Sequence, residues 1–407
     1  MKVRIRDYEQ IWKAFDLVCK SKNLYNFTNY GVRQYFINYG DIIQYSDLCY
    51  DLKDRKDSNG NSPFRELPAA ISQNVIRQLS TNWYSFSKGL QEFNKNPSKF
   101  TGRPRIPNYI KNNIVNVVLM DVDRCFRMKQ HTIHFTKNVL NPVRVPRLIR
   151  RKKIKQIRIV PHHNVFDLEF VYEIQDPDLT DTNGKALAID IGLDNLITSV
   201  NNAGFLPFII NGKIIKSINR NYNRQKGYFQ SRLPKGQFNS RKLMKLGLKR
   251  QDRLRDQMHK ITTAIIRFCV MNNIRTIVIG RNKGIKQKSN MGKVNNQNFV
   301  SVPYYKMYRM LEYKCELNDI EYIEVQEAYT SKCSAFDLEP IGKQSVYCGK
   351  RISRGQFQTK SGAIVNADVN AAYNIYRLGT NRKILKPIAH PVKFTVGSRG
   401  IGSRVIK

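Results

Sequence analysis

Two aspartates stand where carboxylates can do chemistry. Asp190 lies within the apolar stretch "ALAIDIGLDN", and Asp368 opens the pattern "VNADVNAAYNI". An unpaired carboxylate in a buried strand costs several kcal/mol, so Asp190 must be paired, exposed at an edge, or bound to a cation. Each residue alone has a plainer reading. Asp190 can make an edge turn with Gly192, and Asp368 can cap a helix. Together, an acid on a first strand and another at the start of a final helix are two legs of a two-metal site for phosphodiester cleavage. Hard Mg²⁺ ions prefer carboxylate oxygens. Two of them, roughly 3.5–4 Å apart, activate a water and stabilise the leaving 3′ oxygen.

Such a site needs a third carboxylate, from a strand beside the first. The stretch "RTIVIGRNKG" carries the apolar run Ile277, Val278 and Ile279 of a buried strand. That strand delivers Gly280 at its end, which has no side chain to contribute.

The elements that must position these residues follow from periodicity. Residues from about 7 to 92 read as helices, with apolar and aromatic residues at three- and four-residue spacing. Most of their tyrosines are expected in the core of a helical bundle, base stacking being their other use. "NPSKFTGRPRIPNYIKNN" ends the helical region with Pro and Gly. From about 113 to 175, short β-branched runs predict a small antiparallel barrel or sheet, which "MKVRIR" at the start can join. Past "QDPDLTDTNG" the pattern is α/β. "KALAIDIGLDNLITSV" gives two tightly joined strands and "FLPFII" a third. A long helix follows, with Leu254, Met258, Ile261, Ile265 and Phe268 on one stripe. The strand of Gly280 comes next, then the helix "PYYKMYRMLEYKCELN", the strand "EYIEVQEAYT", an irregular insert and a last helix, "DVNAAYNIYRL". Hairpin strands followed by strands alternating with helices predict an RNase H-like fold.

Charge narrows the function. The 70 Lys and Arg against 31 Asp and Glu give +39. A surface this basic repels itself unless it meets a polyanion, and nucleic acid is the obvious one. Eight basic residues and no acid lie between Arg144 and Arg158, which reads as a phosphate-contacting surface. Between 211 and 260 there are fifteen Lys and Arg against only Asp252 and Asp256. No stretch reaches the roughly 18 apolar residues needed to cross a bilayer, and no signal-peptide core is present, so a soluble intracellular protein is expected. The seven cysteines contain no C-x-x-C pair, which argues for reduced thiols.

Taken together, "AIDIGLDNLIT", "TIVIGRNKGIKQ", "EAYTSKCS", "GKRISRGQF" and "NADVNAAYNIYRLG" resemble the RuvC nuclease domain of transposon-encoded TnpB proteins and their eukaryotic relatives, the Fanzors. Upstream, "CKSKNLYNFTNYGVRQYF" and "FNKNPSKFTGRPRIPNY" resemble the helical recognition part of that family, so the likeness spans nearly the whole chain. The resemblance implies an RNA-guided DNA endonuclease that recognises a short target-adjacent motif and cuts with one RuvC site. It implies an α/β multidomain chain: 1–6 as the first strand of a β-barrel (wedge-like) domain, 7–112 helical recognition, 113–180 the rest of the barrel, and 181–407 an RNase H-like (RuvC) nuclease domain. Residues 332–365 form a degenerate zinc-finger-like insert within it.

Two departures matter. Most TnpB proteins carry Glu where this chain has Gly280, and two C-x-x-C pairs where it keeps only Cys333 and Cys348, with Phe336 where the first pair would be completed. A structural zinc needs four ligands, so none is expected. One branch, including the Fanzors, has its glutamate on the next strand, and Glu327 fits that position. Strands lie about 4.8 Å apart, so a Glu at that strand's carboxyl end can reach back, and Gly280 leaves it room. Alternation puts Ile323, Val325 and Glu327 on one face and Glu324 on the other, while Glu321 lies at the wrong end. The implied metal ligands are Asp190, Glu327 and Asp368, holding two Mg²⁺ (or Mn²⁺).

The implied partners are a guide RNA and a double-stranded DNA target in a monomeric ribonucleoprotein, cytoplasmic in a prokaryote and nuclear in a eukaryote, with no membrane. Candidate backbone contacts are Arg103, Arg105, Arg144, Arg147, Arg150, Arg151, Lys152, Lys153, Lys155, Lys213, Lys216, Arg220, Arg224, Lys249 and Arg250. Ser72, Gln73, Asn74 and Gln78, polar residues on one helix, are candidates for reading the target-adjacent motif. The rival expectations are a cleavage-deficient guided repressor of the same family and a non-catalytic basic RNA-binding protein.

Overall fold

Local capping sets the first helix. The Asp7 carboxylate accepts from the Gln10 N–H at 2.9 Å, and α1 (Tyr8–Tyr39) runs until Gly40 turns left-handed at φ 70°. The computed structural model describes residues 1–111, 116–162, 165–174, 184–281, 292, 296–297, 300–382, 388, 390–397 and 400–402. The chain divides into two compact units, Met1–Ile174 and Gln175–Lys407. The boundaries expected at 112/113 and 180/181 lie outside the described residues, as does most of "QDPDLTDTNG". Among the described residues no helix is long and apolar enough to cross a membrane.

The first unit joins helices and strands. Besides α1 it has α2 (Tyr45–Asp51) and α3 (Ala69–Lys95). Its strands are β1 (Lys2–Arg4), β2 (Val118–Asp121), β3 (Phe126–Lys129), β4 (Thr132–Phe135), β5 (Val143–Arg144), β6 (Ile154–His162) and β7 (Val165–Tyr172). They pair as two antiparallel sheets, β1-β7-β6-β2 and β3-β4-β5, with no ladder joining the two among the described residues. The helical core is not built from tyrosine, which corrects the expectation. Tyr8, Tyr30, Tyr35, Tyr39, Tyr50 and Tyr84 are exposed and only Tyr25 is fully buried. Leu17, Val18, Leu24, Ile76, Leu79 and Trp83 fill the interior instead. The buried Trp83 indole donates to Asn29 Oδ1 at 2.9 Å, as a buried indole must to avoid an orphaned donor.

The second unit is α/β. Its strands are β8 (Ala186–Asp190), β9 (Asn195–Asn201), β10 (Phe208–Asn211), β11 (Thr276–Arg281), β12 (Glu321–Gln326), β13 (Lys350–Ser353), β14 (Gln356–Gln358), β15 (Ile364–Asn366), β16 (Val392–Gly397) and β17 (Gly400–Gly402). Its helices are α4 (Lys213–Gln230), α5 (Arg241–Met271), α6 (Tyr304–Glu316) and α7 (Ala367–Thr380). Two helices thus stand where one long helix was expected after β10. The main sheet runs β12-β11-β8-β9-β10-β16-β17. β8, β11 and β12 are parallel, and β9 is antiparallel to both its neighbours.

Alternation decides what each sheet face meets. Leu187 and Ile189 of β8 and Ile277 and Ile279 of β11 join a core with Leu254, Ile261 and Ile265 of α5 and Met307 and Leu311 of α6. The opposite set, Ala186, Ala188 and Val278, packs on Val369, Ala372, Ile375 and Tyr376 of α7, with Ile323 and Val325 of β12 beside them. The insert between β12 and α7 folds as the small sheet β13-β14-β15, with Phe357 and Val365 buried inside it. The buried Glu339 ties its first half together, accepting from Ser334 N–H at 2.7 Å and Cys348 N–H at 2.9 Å.

The helix α7 approaches the sheet at Gly379. A Cβ there would stand 3.0 Å from Val278 Cβ and closer still to both its methyl groups. Since Val278 is fully buried, Gly379→Ala must push helix and strand apart. The expected cost is about 1–3 kcal/mol. In differential scanning calorimetry it should appear as a melting point lower by roughly 2–4 °C for each kcal/mol. An unchanged melting point would mean that the helix can lift off at no cost.

Candidate active site

The face of the sheet that meets α7 also carries the acids. Ala186, Ala188 and Asp190 alternate along β8, so Asp190, at its carboxyl end, shares the face on which the two alanines meet α7. On β11 the same parity runs through Val278 to Gly280, and on β12 through Ile323 and Val325 to Glu327, just past the strand. Gly280 stands opposite Val325 in the parallel ladder. A Cβ on Gly280 would lie 3.1 Å from Glu327 Oε2 and 2.5 Å from Ile375 Cδ1. The missing side chain is therefore space already used by the Glu327 carboxylate and by α7.

Asp368 lies in the first turn of α7, but it does not cap the helix. Asn366 does, its Oδ1 accepting from the Asp368 and Val369 N–H groups at 3.1 Å each. The Asp368 carboxylate is left for other partners: Oδ2 accepts from Asn195 Nδ2 at 2.6 Å, and Oδ1 is 3.7 Å from Arg351 Nη2. Asp194, in the turn after β8, pairs with Lys216 of α4 and with Arg354 of the insert. The insert thus sends Arg351 and Arg354 to two acids around the same edge.

The charges interact strongly. Burial, and then the Asp368 and Glu327 carboxylates, push the Asp190 carboxyl up from 3.8 to about 8, against Arg351 and the Ile191 N–H, which pull it down. Burial also raises Glu327. Burial raises the Tyr308 phenol, and Glu327 and Asp190 raise it further; its hydroxyl donates to Gly280 O at 3.3 Å. Glu324, on the other face, is held by Arg281, and Glu321 accepts from Thr276 Oγ1 at 3.1 Å at the far end of the strand. Neither joins the cluster.

The donor set suits a hard divalent cation. The three groups are all carboxylates, and a cation would offset the burial and carboxylate repulsion that raise Asp190. Among the described residues, however, no three or more His, Cys, Asp or Glu are gathered into a ready cage for an ion. Mg²⁺ does not require one, since it commonly takes one or two carboxylates and completes its shell with water and substrate phosphate.

The other expected contacts scatter. Arg103 and Arg105 are exposed on a segment without regular structure, and Arg144, Arg147, Arg151, Lys152, Lys153 and Lys155 are exposed in the first unit. Lys153 and Lys155 pair with Glu173, and Arg150 donates to Val145 O at 3.1 Å. In the second unit Lys213, Arg220, Arg224 and Lys249 are exposed, and Arg250 is half-buried. The proposed amide face of α3 needs correction. Ser72 is buried, its hydroxyl donating to Phe64 O at 2.7 Å, and the buried Asn74 donates to Leu119 O at 3.1 Å. Gln73 is engaged by Arg124, and Gln78 accepts from Asn116 Nδ2 at 3.2 Å. Sequence reasoning missed Asn195, Tyr308, Arg351 and Arg354. Arg351 and Arg354 stand within a stretch already singled out, "GKRISRGQF", but only the fold brings them to the acids.

Comparison with known proteins fits this chain into a class. The fold is that of a solved structure described as "Cryo-EM structure of the Cas12f1-sgRNA-target DNA complex": 15% identity and a TM-score of 0.53, over 91% of this chain and 83% of that one. A second, "Cryo-EM structure of CRISPR-Cas12f Ternary Complex", matches at 15% identity and a TM-score of 0.37, over 94% of this chain and 83% of that one. Residues 169–286 match the OrfB_IS605 family, described as a probable transposase, and residues 304–375 match the Cas12f1-like TNB domain. No curated protein matches by sequence. The two family matches support a TnpB-like family for the chain.

The raised Asp190 carboxyl gives a pH test. Folded, it keeps its proton up to about 8; free, it would lose it near 3.8. The stabilisation it contributes is complete below the lower value and drains away as pH rises through the higher one. In EDTA, the free energy of unfolding should fall between these limits relative to Asp190→Asn, by at most about 1.4 kcal/mol per pH unit, as read by denaturant titration. Parallel curves for the two proteins would show that Asp190 ionises freely.

Proposed function

We propose that this protein is an RNA-guided DNA endonuclease, in which Asp190, Glu327 and Asp368 hold two Mg²⁺ (or Mn²⁺) ions at the carboxyl edge of an RNase H-like (RuvC) sheet. The observation that carries the proposal is the use of Gly280's space by the Glu327 carboxylate, on the face that also holds Asp190. An acid has moved one strand over, and the strand it left has been cleared to admit it. The order β12-β11-β8-β9-β10, with β9 the antiparallel member, supports the RNase H-like reading. The likeness to a Cas12f1 complex with guide RNA and target DNA supports the partners.

The ions, when bound, would activate a water and stabilise the leaving 3′ oxygen. The chain's own side chains orient the site. Asn195 fixes one oxygen of Asp368, and the Tyr308 hydroxyl holds the backbone at Gly280. Arg351, 3.7 Å from Asp368 and pulling Asp190 down, offsets part of their charge before any ligand arrives. Sequence selection falls to base pairing with the guide, so the basic residues need only hold backbones. The protein recognises a short motif beside its target and works as a monomeric ribonucleoprotein. On this reading residues 7–112 form the recognition part, 113–180 with 1–6 the wedge-like part, and 181–407 the nuclease.

Purified with its guide RNA, the protein should cut a matched duplex only when Mg²⁺ or Mn²⁺ is supplied. Glu327→Ala should reduce cutting to background while leaving RNA affinity near that of the wild type. A Glu327→Ala protein that cuts normally would remove the relocated acid from the site. A wild type that binds its target yet never cuts would identify a guided binder instead.

A further inference from the structure

The basic strip on α4 and α5 holds a feature that the carboxylate site does not use. Arg250 stands between two clefts. The larger, about 360 Å³, is lined by Arg250, Arg255, Gln251 and Lys306 over a floor that includes Leu254 and Met258. The smaller, about 130 Å³, is lined by Lys249, Arg250, Arg253 and Tyr222. Among the described residues Arg250 alone borders both.

Its surroundings are unusual for a half-buried cation. Nε donates to Asn219 Oδ1 at 2.7 Å, Nη2 donates to Ser301 O at 2.9 Å, and the guanidinium lies 4.9 Å from the centre of the Tyr222 ring. All three partners are neutral. The acids on this stretch are engaged elsewhere: Asp252 is 3.1 Å from Arg255, and Asp256 is 2.6 Å from Lys260. Among the described residues no carboxylate pairs with Arg250, and burial works against its charge. A guanidinium held partly out of water by neutral acceptors keeps a full charge and free N–H donors, which favours an anion brought from outside. Lys249 and Arg253 on one side and Lys306 on the other add exposed positive charge.

We propose that Arg250 centres a binding site for nucleic-acid backbone phosphate, the clefts on its two sides taking neighbouring phosphates of one strand. A fixed fork flanked by mobile lysines suits this ligand, since the fork orients a phosphate and the lysines follow the strand without reading bases. The site rests on the reading of this chain as a nucleic-acid-handling protein, and adds which groups grip the backbone in the second unit.

Fluorescence anisotropy with short single-stranded RNA and DNA of one sequence, titrated over a range of salt, tests it on the full chain. Arg250→Gln, Lys249→Gln and Lys306→Gln should each weaken binding and flatten the slope of log affinity against log salt, by about 0.7 for each phosphate no longer neutralised. The two lysine variants alter exposed side chains only, so they report even if Arg250→Gln melts early. A greater weakening on the RNA probe makes the guide the source of the phosphates, a greater weakening on DNA makes it the target, and equal effects show a site that accepts either. Unchanged affinity and slope in all three variants would overturn the site and leave nucleic-acid binding standing. A wild type that binds neither probe would overturn both.

Discussion

The helix α7 lies against β8 and β11 through side chains small enough to allow it: Ala186 and Ala188 on the sheet, Gly379 on the helix, and Gly280 at the edge. Helix and strand pack at a distance set by what stands between them, and the glycine and alanines let α7 come close where they lie. The start of α7 is carried with it, and Asp368 with that start. The same approach brings the end of the Ile375 side chain to where a Gly280 Cβ would stand, so a residue larger than glycine there would have to displace it. Alternation along β12 brings the Glu327 carboxylate into the space beside Gly280.

Gathering acids works against folding unless something offsets them. Asp190 shows the strain most clearly, held near pH 8 by burial and by its two carboxylate neighbours. The structure meets the remaining charge with polar groups from separate parts of the second unit. Asn195 comes from β9, and Arg351 and Arg354 from the insert, so the site is tied to the insert by charge as well as by chain. Glu339 supplies the insert's own clasp, spanning Ser334 and Cys348 with two backbone N–H groups. Such a clasp needs no metal, because a buried carboxylate that accepts two backbone donors is both neutralised in part and fixed in direction.

Much of this was legible in the residues. The alternation of β8 and β12 and the first-turn position of Asp368 are properties of local sequence, and each acid lies where those patterns put it. The cap was ambiguous because Asn366 and Asp368 are both competent, and only backbone geometry shows that Asn366 takes the task. The polar face of α3 was misread for a related reason. Periodicity reports which side chains share a face, whereas Ser72 and Asn74 are buried because the carbonyls of Phe64 and Leu119, on other segments, come to meet them. The tyrosines of α1 failed in the opposite sense: their spacing is that of core residues, yet smaller aliphatic side chains and Trp83 already fill the bundle.

Net charge is as blunt a guide as periodicity. The run from Arg144 to Arg158 looks acid-free in sequence, yet Lys153 and Lys155 meet Glu173 from the end of the same hairpin. Exposed pairs of that kind are worth at most about 1 kcal/mol, and a phosphate can displace the glutamate. Arg250 is the converse case. It lies in a stretch with two aspartates, and neither neutralises it, since each is engaged by another cation within four residues. What distinguishes a cation that waits for a ligand is therefore the nature of its present partners. A carboxylate partner competes with an incoming phosphate; a carbonyl, an amide oxygen and a ring face hold the guanidinium in place without cancelling its charge. By that criterion the strongest claim to a nucleic-acid contact in the second unit belongs to a half-buried arginine rather than to the exposed lysines that dominate the count.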